Sequence, residues 1–260
     1  MQGREVEFSF ENIYGKGMAS IYDMLNPHSS DEVQETAQFI YDEAPKGRVL
    51  ELGVGTGRLA LRLADMGMNV HGIDASEPML QKLRERDSAA RIKVSVGDFT
   101  ESLPDDKYDV VLMSGGTFFL IASQERQIET LELMKSRLKS DGVVVIENYD
   151  PTYHHRNAEP ATRTFPLENG ILIETETVVR LYQAAITSRT VVGAEGFQGT
   201  FNEHLRYVWM SEFDLMARIA GLKLRDRFSS WKREPLTMDP SAPVNRYLSV
   251  FERQGHSETL

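Results

Sequence analysis

Apolar residues recur along this chain with two alternating periods, one helical and one extended. Ser29-Ser30-Asp31-Glu32 sets a hydroxyl and a carboxylate three residues apart, as a helix capping box requires. Val33, Ala37, Ile40 and Tyr41 follow at helical spacing until Pro45 and Gly47 stop them, so a helix precedes the first strand. Residues 48–52 are a short apolar run ending in a glycine cluster. Beyond them Leu59, Leu63 and Met66 share one helical face that Gly67 closes. The unit is strand, tight turn, helix, and it repeats. Strands are predicted over 70–73, 92–96 and 110–113, with a helix over 78–86. Ser123 then caps a long helix carrying Ile128, Leu131 and Leu138, ended by 139–142 before a nearly all-apolar strand over 143–147. Strands alternating with helices predict parallel pairing.

From about residue 162 the pattern changes to long β-rich runs, over 171–181, 184–192 and 200–209, separated by turns and read as an antiparallel cap. Ser211 starts one more helix, with Phe213, Met216 and Ala220 inward and Gly221 at its end. Two last strands are predicted over 222–228 and 247–251.

Composition narrows the chemistry. With 260 residues, 41% of them hydrophobic, the chain can bury one large core. A net charge of -10 argues against a broad nucleic-acid footprint, and the basic stretch 223–233 reads as a solvated face. The absence of cysteine excludes disulfides, thiolate nucleophiles and Cys-ligated metals or clusters. The first residues lack the apolar run of a signal peptide, and no stretch approaches a membrane span of about 20 apolar residues. The expectation is a soluble cytoplasmic protein without nucleic-acid or membrane partners.

The strongest motif is Glu51-Leu52-Gly53-Val54-Gly55-Thr56-Gly57-Arg58, between a strand and a helix, where glycines let backbone approach a ligand at the carboxyl end of the first strand. By itself it fits an ordinary turn or a dinucleotide site. Asp74, about 20 residues on at the end of the second strand, can accept both hydroxyls of a ribose, which both nucleotide readings want. Glu51, two residues before the first glycine, and Gly97-Asp98-Phe99 after the third strand separate the readings. A carboxylate at Asp98 can accept from an adenine amine beside an aromatic neighbour, whereas dehydrogenases need neither feature. Alone, Asp98 reads equally as a turn residue.

On these residues the chain resembles the class I S-adenosylmethionine-dependent methyltransferases over roughly 49–147 plus the terminal helix and strand pair. The resemblance implies an α/β fold: a Rossmann-like doubly wound seven-stranded sheet, six strands parallel and one antiparallel, with an inserted antiparallel β cap and an N-terminal helical lid. The corresponding division is 1–47 lid, 48–160 and 210–253 core, 161–209 cap and 254–260 tail. It implies S-adenosyl-L-methionine as cofactor, S-adenosyl-L-homocysteine as product, and a binding set of Tyr14, Tyr22, Glu51, Gly53, Gly55, Gly57, Arg58, Asp74, Ala75, Met79, Asp98, Phe99, Met113 and Ser114. Tyr14-Gly15-Lys16-Gly17, Tyr22-Asp23 and Glu147-Asn148-Tyr149 are similar to the small-molecule N-methyltransferases of natural-product pathways that act on amino sugars and peptide N-termini. Where amino-sugar enzymes carry a histidine after strand four, this chain has Ser114-Gly115-Gly116-Thr117-Phe118-Phe119, which argues for a more apolar acceptor.

Methyl transfer from a sulfonium is an in-line displacement, so the protein chiefly aligns the reactants and removes a proton from an amine acceptor. Glu147, Tyr149 and His154 lead the candidates, followed by Asp150, His155, His204 and Tyr207. Glu147 ends a central strand at the crevice, where a backbone-capping role competes evenly with base chemistry. No metal is expected: His154 and His155 are adjacent, and side chains in an extended segment point apart. His204 and Tyr207 lie on a strand facing pocket or solvent. The partner expected is a small-molecule or peptide amine, with exposed cap edges allowing a homodimer. A hydroxyl or carbon acceptor, a nicotinamide oxidoreductase and a non-catalytic binding module stay open as alternatives.

Overall fold

The structure, a computed structural model, describes residues 16–26, 29–155, 161–167, 170–193, 199–237 and 246–255. It starts with α1 (Lys16–Leu25) and α2 (Ser30–Glu43), the latter opened as expected by Ser29, whose hydroxyl accepts from the Glu32 amide at 3.1 Å. Then come β1 (Arg48–Leu52), α3 (Arg58–Asp65), β2 (Asn69–Asp74), α4 (Glu77–Arg86), β3 (Lys93–Val96) and β4 (Tyr108–Met113). After α5 (Gln124–Ser136), β5 (Leu138–Tyr149) and a single turn, α6 (Thr152–His155), the chain forms β6 (Ala161–Leu167), β7 (Gly170–Val179), β8 (Ala184–Val192) and β9 (Gly199–Arg206). It closes with α7 (Met210–Ile219), β10 (Leu222–Phe228) and β11 (Arg246–Arg253).

Seven strands form one sheet in the order β10-β11-β5-β4-β1-β2-β3, in which only β11 runs against its neighbours. This is the expected mostly parallel α/β sheet. The other four, β6 to β9, make a separate antiparallel sheet in sequential order.

Strand alternation divides the core into two layers. Val49, Val110, Leu112, Val143 and Val145 pack against Phe39 and Ile40 of α2, Leu59 and Leu63 of α3, and Leu80 and Leu83 of α4. The intervening Leu50, Leu52, Val111, Met113, Val144 and Ile146 pack against Leu131 and Met134 of α5 and Phe213 and Met216 of α7. A third cluster, Met18, Met79, Leu172, Val191 and Phe201, ties the antiparallel sheet to α1 and α4. That contact brings the cap over the carboxyl ends of the parallel strands.

Three local expectations are corrected. Leu138 begins β5 instead of ending a helix, because pairing with Tyr108 on β4 outweighs helical spacing; the register then shifts before Val110 meets Val143. The last helix begins at Met210, one residue before Ser211, and has no side-chain cap. His154 and His155 sit on a helical turn, not an extended segment. The basic stretch 223–233 is paired: Arg225 and Arg233 hold Glu43, and Arg227 holds Asp214. No described helix is long and apolar enough to cross a membrane.

His71, buried on β2, is held through Nδ1 by the Tyr108 hydroxyl at 2.7 Å and through Nε2 by the Ser95 hydroxyl at 2.8 Å. Burial, reinforced by the charge of Lys93, lowers its pKa from 6.5 to about 4. The unfolded chain therefore binds this proton first, and His71 contributes stability that is complete above pH 6.5 and is lost as pH falls toward 4. Urea midpoints measured across that window should fall more steeply for the native protein than for His71→Gln; parallel slopes would refute the assignment.

Candidate active site

The turn after β1 reverses direction by hydrogen bonding to the end of β2. The amides of Gly53 and Val54 donate to the Ile73 carbonyl at 2.9 and 3.2 Å, and the Gly55 amide donates to Asp74 Oδ2 at 2.8 Å. Asp74 Oδ1 accepts from the Ser76 amide at 2.8 Å, so this carboxylate both shapes the turn and closes the start of α4. Burial raises its pKa against the pull of those two amides. Gly53 has φ +72°, and a Cβ there would lie 2.7 Å from the Thr117 methyl.

Above this turn lies a cavity of about 580 Å³, bounded by the carboxyl ends of β1, β2, β4 and β5, by α1 and by the cap. Of the residues expected from sequence, it brings together Tyr22, Gly53, Gly55, Asp74, Ala75, Met79, Phe99 and Tyr149. The others lie elsewhere. Gly57 packs its α-carbon against Leu83, and Met113 is buried in the core. Asp98 accepts from the amide and hydroxyl of Thr100 at 2.8 and 2.7 Å, an Asx-type turn. Arg58, Ser114 and Glu147 line a second, narrow crevice with Trp231 and Arg246. Tyr14 and the side chain of His154 lie outside the described residues.

Glu51 is buried beneath the turn, and its Oε2 has no hydrogen-bond partner. Burial pushes its pKa up to about 8; the Arg58 charge opposes this and the Asp74 charge adds to it. A buried carboxyl with an open acceptor, held neutral by burial alone, is suited to a cationic partner whose charge would draw off its proton.

Glu147 is committed otherwise. Its Oε2 accepts from the Gly115 amide at 2.6 Å, while Oε1 accepts from Trp231 Nε1 at 3.2 Å and Arg246 Nη1 at 3.0 Å. Of the two roles open to it from sequence, this geometry is the backbone-capping one, and its carboxylate holds the Gly115-Gly116 loop that lines the cavity. Tyr149 does face the cavity. Burial, then the neighbouring Glu147 charge, pushes its phenol up to about 12, so at neutral pH it donates a hydrogen bond and is not a ready base.

The cap contributes a wall that sequence reasoning missed: Glu174 and Glu176 from β7, Thr187 and Arg189 from β8, and Glu203 and Leu205 from β9. The alternation was visible, but its phase was not. Glu203 and Leu205 face the cavity, so half-buried His204 faces away from it, and Tyr207 is fully buried in the core, neither lining the pocket nor meeting solvent. His155 packs edge-on against Tyr207 at 5.3 Å. Thr117, Phe119 and Leu120 line the side of the cavity opposite the charged cap face. Met18 of α1 and Asn26 just after it also line it, and Asp23 secures that helix by accepting from the Thr56 hydroxyl at 2.7 Å and pairing with Arg86.

A family model described as a methyltransferase domain matches residues 49–142. A cypemycin N-terminal methyltransferase from Streptomyces sp is 32% identical over 246 residues, covering 94% of this chain and 98% of the relative. The CcbJ methyltransferase from Streptomyces caelestis superposes with TM-score 0.82 at 30% identity, covering 94% of this chain and 99% of its own. SAM-bound CalS10, an amino pentose methyltransferase from Micromonospora echinaspora, shares the fold at TM-score 0.66 and 17% identity, covering 88% of this chain and 96% of its own.

Gly116 has φ +74°, and a Cβ there would fall 2.4 Å from the Tyr149 ring. Gly116→Ala should cost roughly 1–2 kcal/mol from the left-handed backbone alone, plus the clash. In Gly116→Ala/Tyr149→Ala the clash portion disappears, so unfolding measurements across the mutant cycle should show a favourable coupling; strict additivity would show that the two residues do not touch.

Proposed function

This chain belongs to the S-adenosylmethionine-dependent methyltransferases, and within that family we propose that it methylates the nitrogen of a small-molecule or peptide amine in natural-product biosynthesis. The observation that carries the reading is one continuous cavity, joining the Asp74 and Phe99 end to a carboxylate-lined cap wall. The near full-length likeness to an enzyme named for a peptide N-terminus supports the acceptor class.

The residues present fit the cofactor. Glu51 offers a buried, unpartnered oxygen suited to an amino acid ammonium, Asp74 a carboxylate at the ribose position, and Phe99 and Met79 apolar flanks for a base. When bound, the cofactor supplies a methyl group activated by positively charged sulfur. The chain's own residues then bind, orient and exclude water. In this proposal Glu51 and Asp74 fix the donor end, and α1 and the cap screen the cavity from solvent. Tyr149 orients the acceptor as a hydrogen-bond donor. Glu147 acts as a positioning residue through the Gly115 amide, since both its oxygens are already engaged, by Gly115, Trp231 and Arg246. A cytoplasmic location and a homodimer through the edges of the cap sheet belong to the same proposal.

Two measurements test it. With methyl-labelled cofactor and a panel of amines, alcohols and activated carbons, label should appear on nitrogen; transfer confined to oxygen or carbon overturns the acceptor reading. Cofactor binding should also release a proton from Glu51, because a cation beside it favours the ionised form that burial holds off up to about pH 8. Calorimetry at pH 7 in buffers of different ionisation enthalpy should register close to one more proton released by the native protein than by Glu51→Gln. Affinity should rise with pH toward 8, and equal release by both proteins would remove Glu51 from the site.

A further inference from the structure

Building on the amine reading above, we infer that the inner face of the cap sheet recognises the acceptor as a cation, with Glu176 and Glu203 holding its nitrogen over Thr187 and one of these two carboxylates taking up its proton, so that the free amine lone pair meets the methyl group. These three residues form a single row across the sheet: Glu176 pairs with Thr187, and Thr187 pairs with Glu203. Neighbouring strands lie about 5 Å apart, so the outer two α-carbons are about 10 Å apart, a span that two glutamate side chains can close around one small cation. The adjacent row holds Glu174 and Arg189, again in register.

The charge balance selects the ligand. Among the described residues lining the cavity there are four carboxylates, Asp74, Glu174, Glu176 and Glu203, and one guanidinium, Arg189. Asp74 sits at the nucleotide end. Arg189 is not presented as an anion site, because its Nε donates to Glu174 at 2.8 Å and its Nη1 to Glu203 at 2.9 Å. Arg163 stands 3.9 Å from Glu174, at the β6 side, and does not line the cavity. Glu203 is only 9% exposed and Thr187 3%, while Glu174 and Glu176 are half-buried, so a cation is favoured beside this group of carboxylates over a neutral hydroxyl ligand.

Apolar rows bracket the charged ones. Leu172 and Val191 lie on one side, and Ala185 and Leu205 on the other. An amine with an apolar body therefore fits this wall better than a polyhydroxylated one. The preference arises from the cap alone and is separable from cofactor binding at Glu51 and Asp74.

The test uses an alanine-initiated pentapeptide amide with a free α-amine, and its N-acetylated counterpart with a free carboxylate, at saturating labelled cofactor. The native protein should methylate the first and not bind the second. Glu176→Gln should raise KM for the free-amine peptide roughly tenfold to a hundredfold, the range for losing one charge-assisted hydrogen bond, with cofactor Kd changed less than twofold. Glu176→Asp should recover part of the loss. Glu203→Gln should act in the same direction; because it also strips a partner from Arg189, Glu176→Gln decides the matter if that variant does not fold. If the amine is methylated while both variants keep the native KM, the cap inference fails and the amine reading stands. Tighter binding of the acetylated peptide would reassign the wall to anions through Arg189. If no amine accepts label, both readings fall together.

Discussion

The backbone must reverse between β1 and α3 within a few residues while leaving amides and open space facing a ligand. It does so by borrowing hydrogen-bond acceptors from the next strand. The Ile73 carbonyl takes two amides of the turn and the Asp74 carboxylate takes a third, so the loop is anchored to the sheet, while the Gly57 amide closes it on the Val54 carbonyl at 3.0 Å. Gly72 makes the approach sterically feasible, since a Cβ there would fall 2.7 Å from Val54. Two walls of the cavity are placed relative to this reversal: Thr117 rests against Gly53, and Thr56 reaches up to Asp23 on α1.

Three carboxylates near the ends of parallel strands illustrate how environment assigns work. Asp74 is half-buried and bonded by two backbone amides, so it is structural and still lines the cavity. Glu147 is buried and paired with Arg246, and Arg246 also pairs with Glu32 of α2; it transmits the position of α2 and β11 to the Gly115 loop. Glu51 is buried with an oxygen unmet, and burial pushes its pKa up to about 8. The same functional group thus serves as turn anchor, latch and open acceptor, according to which donors the fold brings to it.

Much of the fold and half of the site were legible before the structure was known. The cofactor end is read from consecutive residues: a glycine turn, then acids at successive strand ends, each position set by local strand and helix periods. The acceptor wall is different. It is assembled from alternate residues of three strands, and their phase depends on the turn between β7 and β8, where Gln183 adopts φ +50° after the short helix Arg180–Tyr182. No period within a single strand reveals which parity faces inward, which is why His204 drew attention and Glu203 did not. Leu138 failed for a related reason, since its pairing partner Tyr108 lies 30 residues earlier. Glu147 was correctly located, but its partners Trp231 and Arg246 come from the far end of the chain, so no local pattern could reveal that its charge was already spoken for.

The cap is held at both ends, and this is what makes a wall built on hairpins precise enough to discriminate. At the base, Gln183 donates to the Tyr207 carbonyl and to Glu212, Arg206 bridges Gln127 and Glu212, and Gln127 returns a bond to the Arg206 carbonyl. At the tip, Leu172, Val191 and Phe201 pack with Met18 and Met79. The charged rows lie between these anchors. Arg189 on β8 couples β7 and β9 by bonding Glu174 on one side and Glu203 on the other, so rotating either carboxylate breaks a part-buried ion pair. Rigidity near the base comes from hydrogen bonds with directional demands, whereas the tip is sealed by apolar packing against α1. Motion that opens the cavity is therefore expected to separate α1 from the tip, leaving the carboxylate rows intact as the acceptor enters.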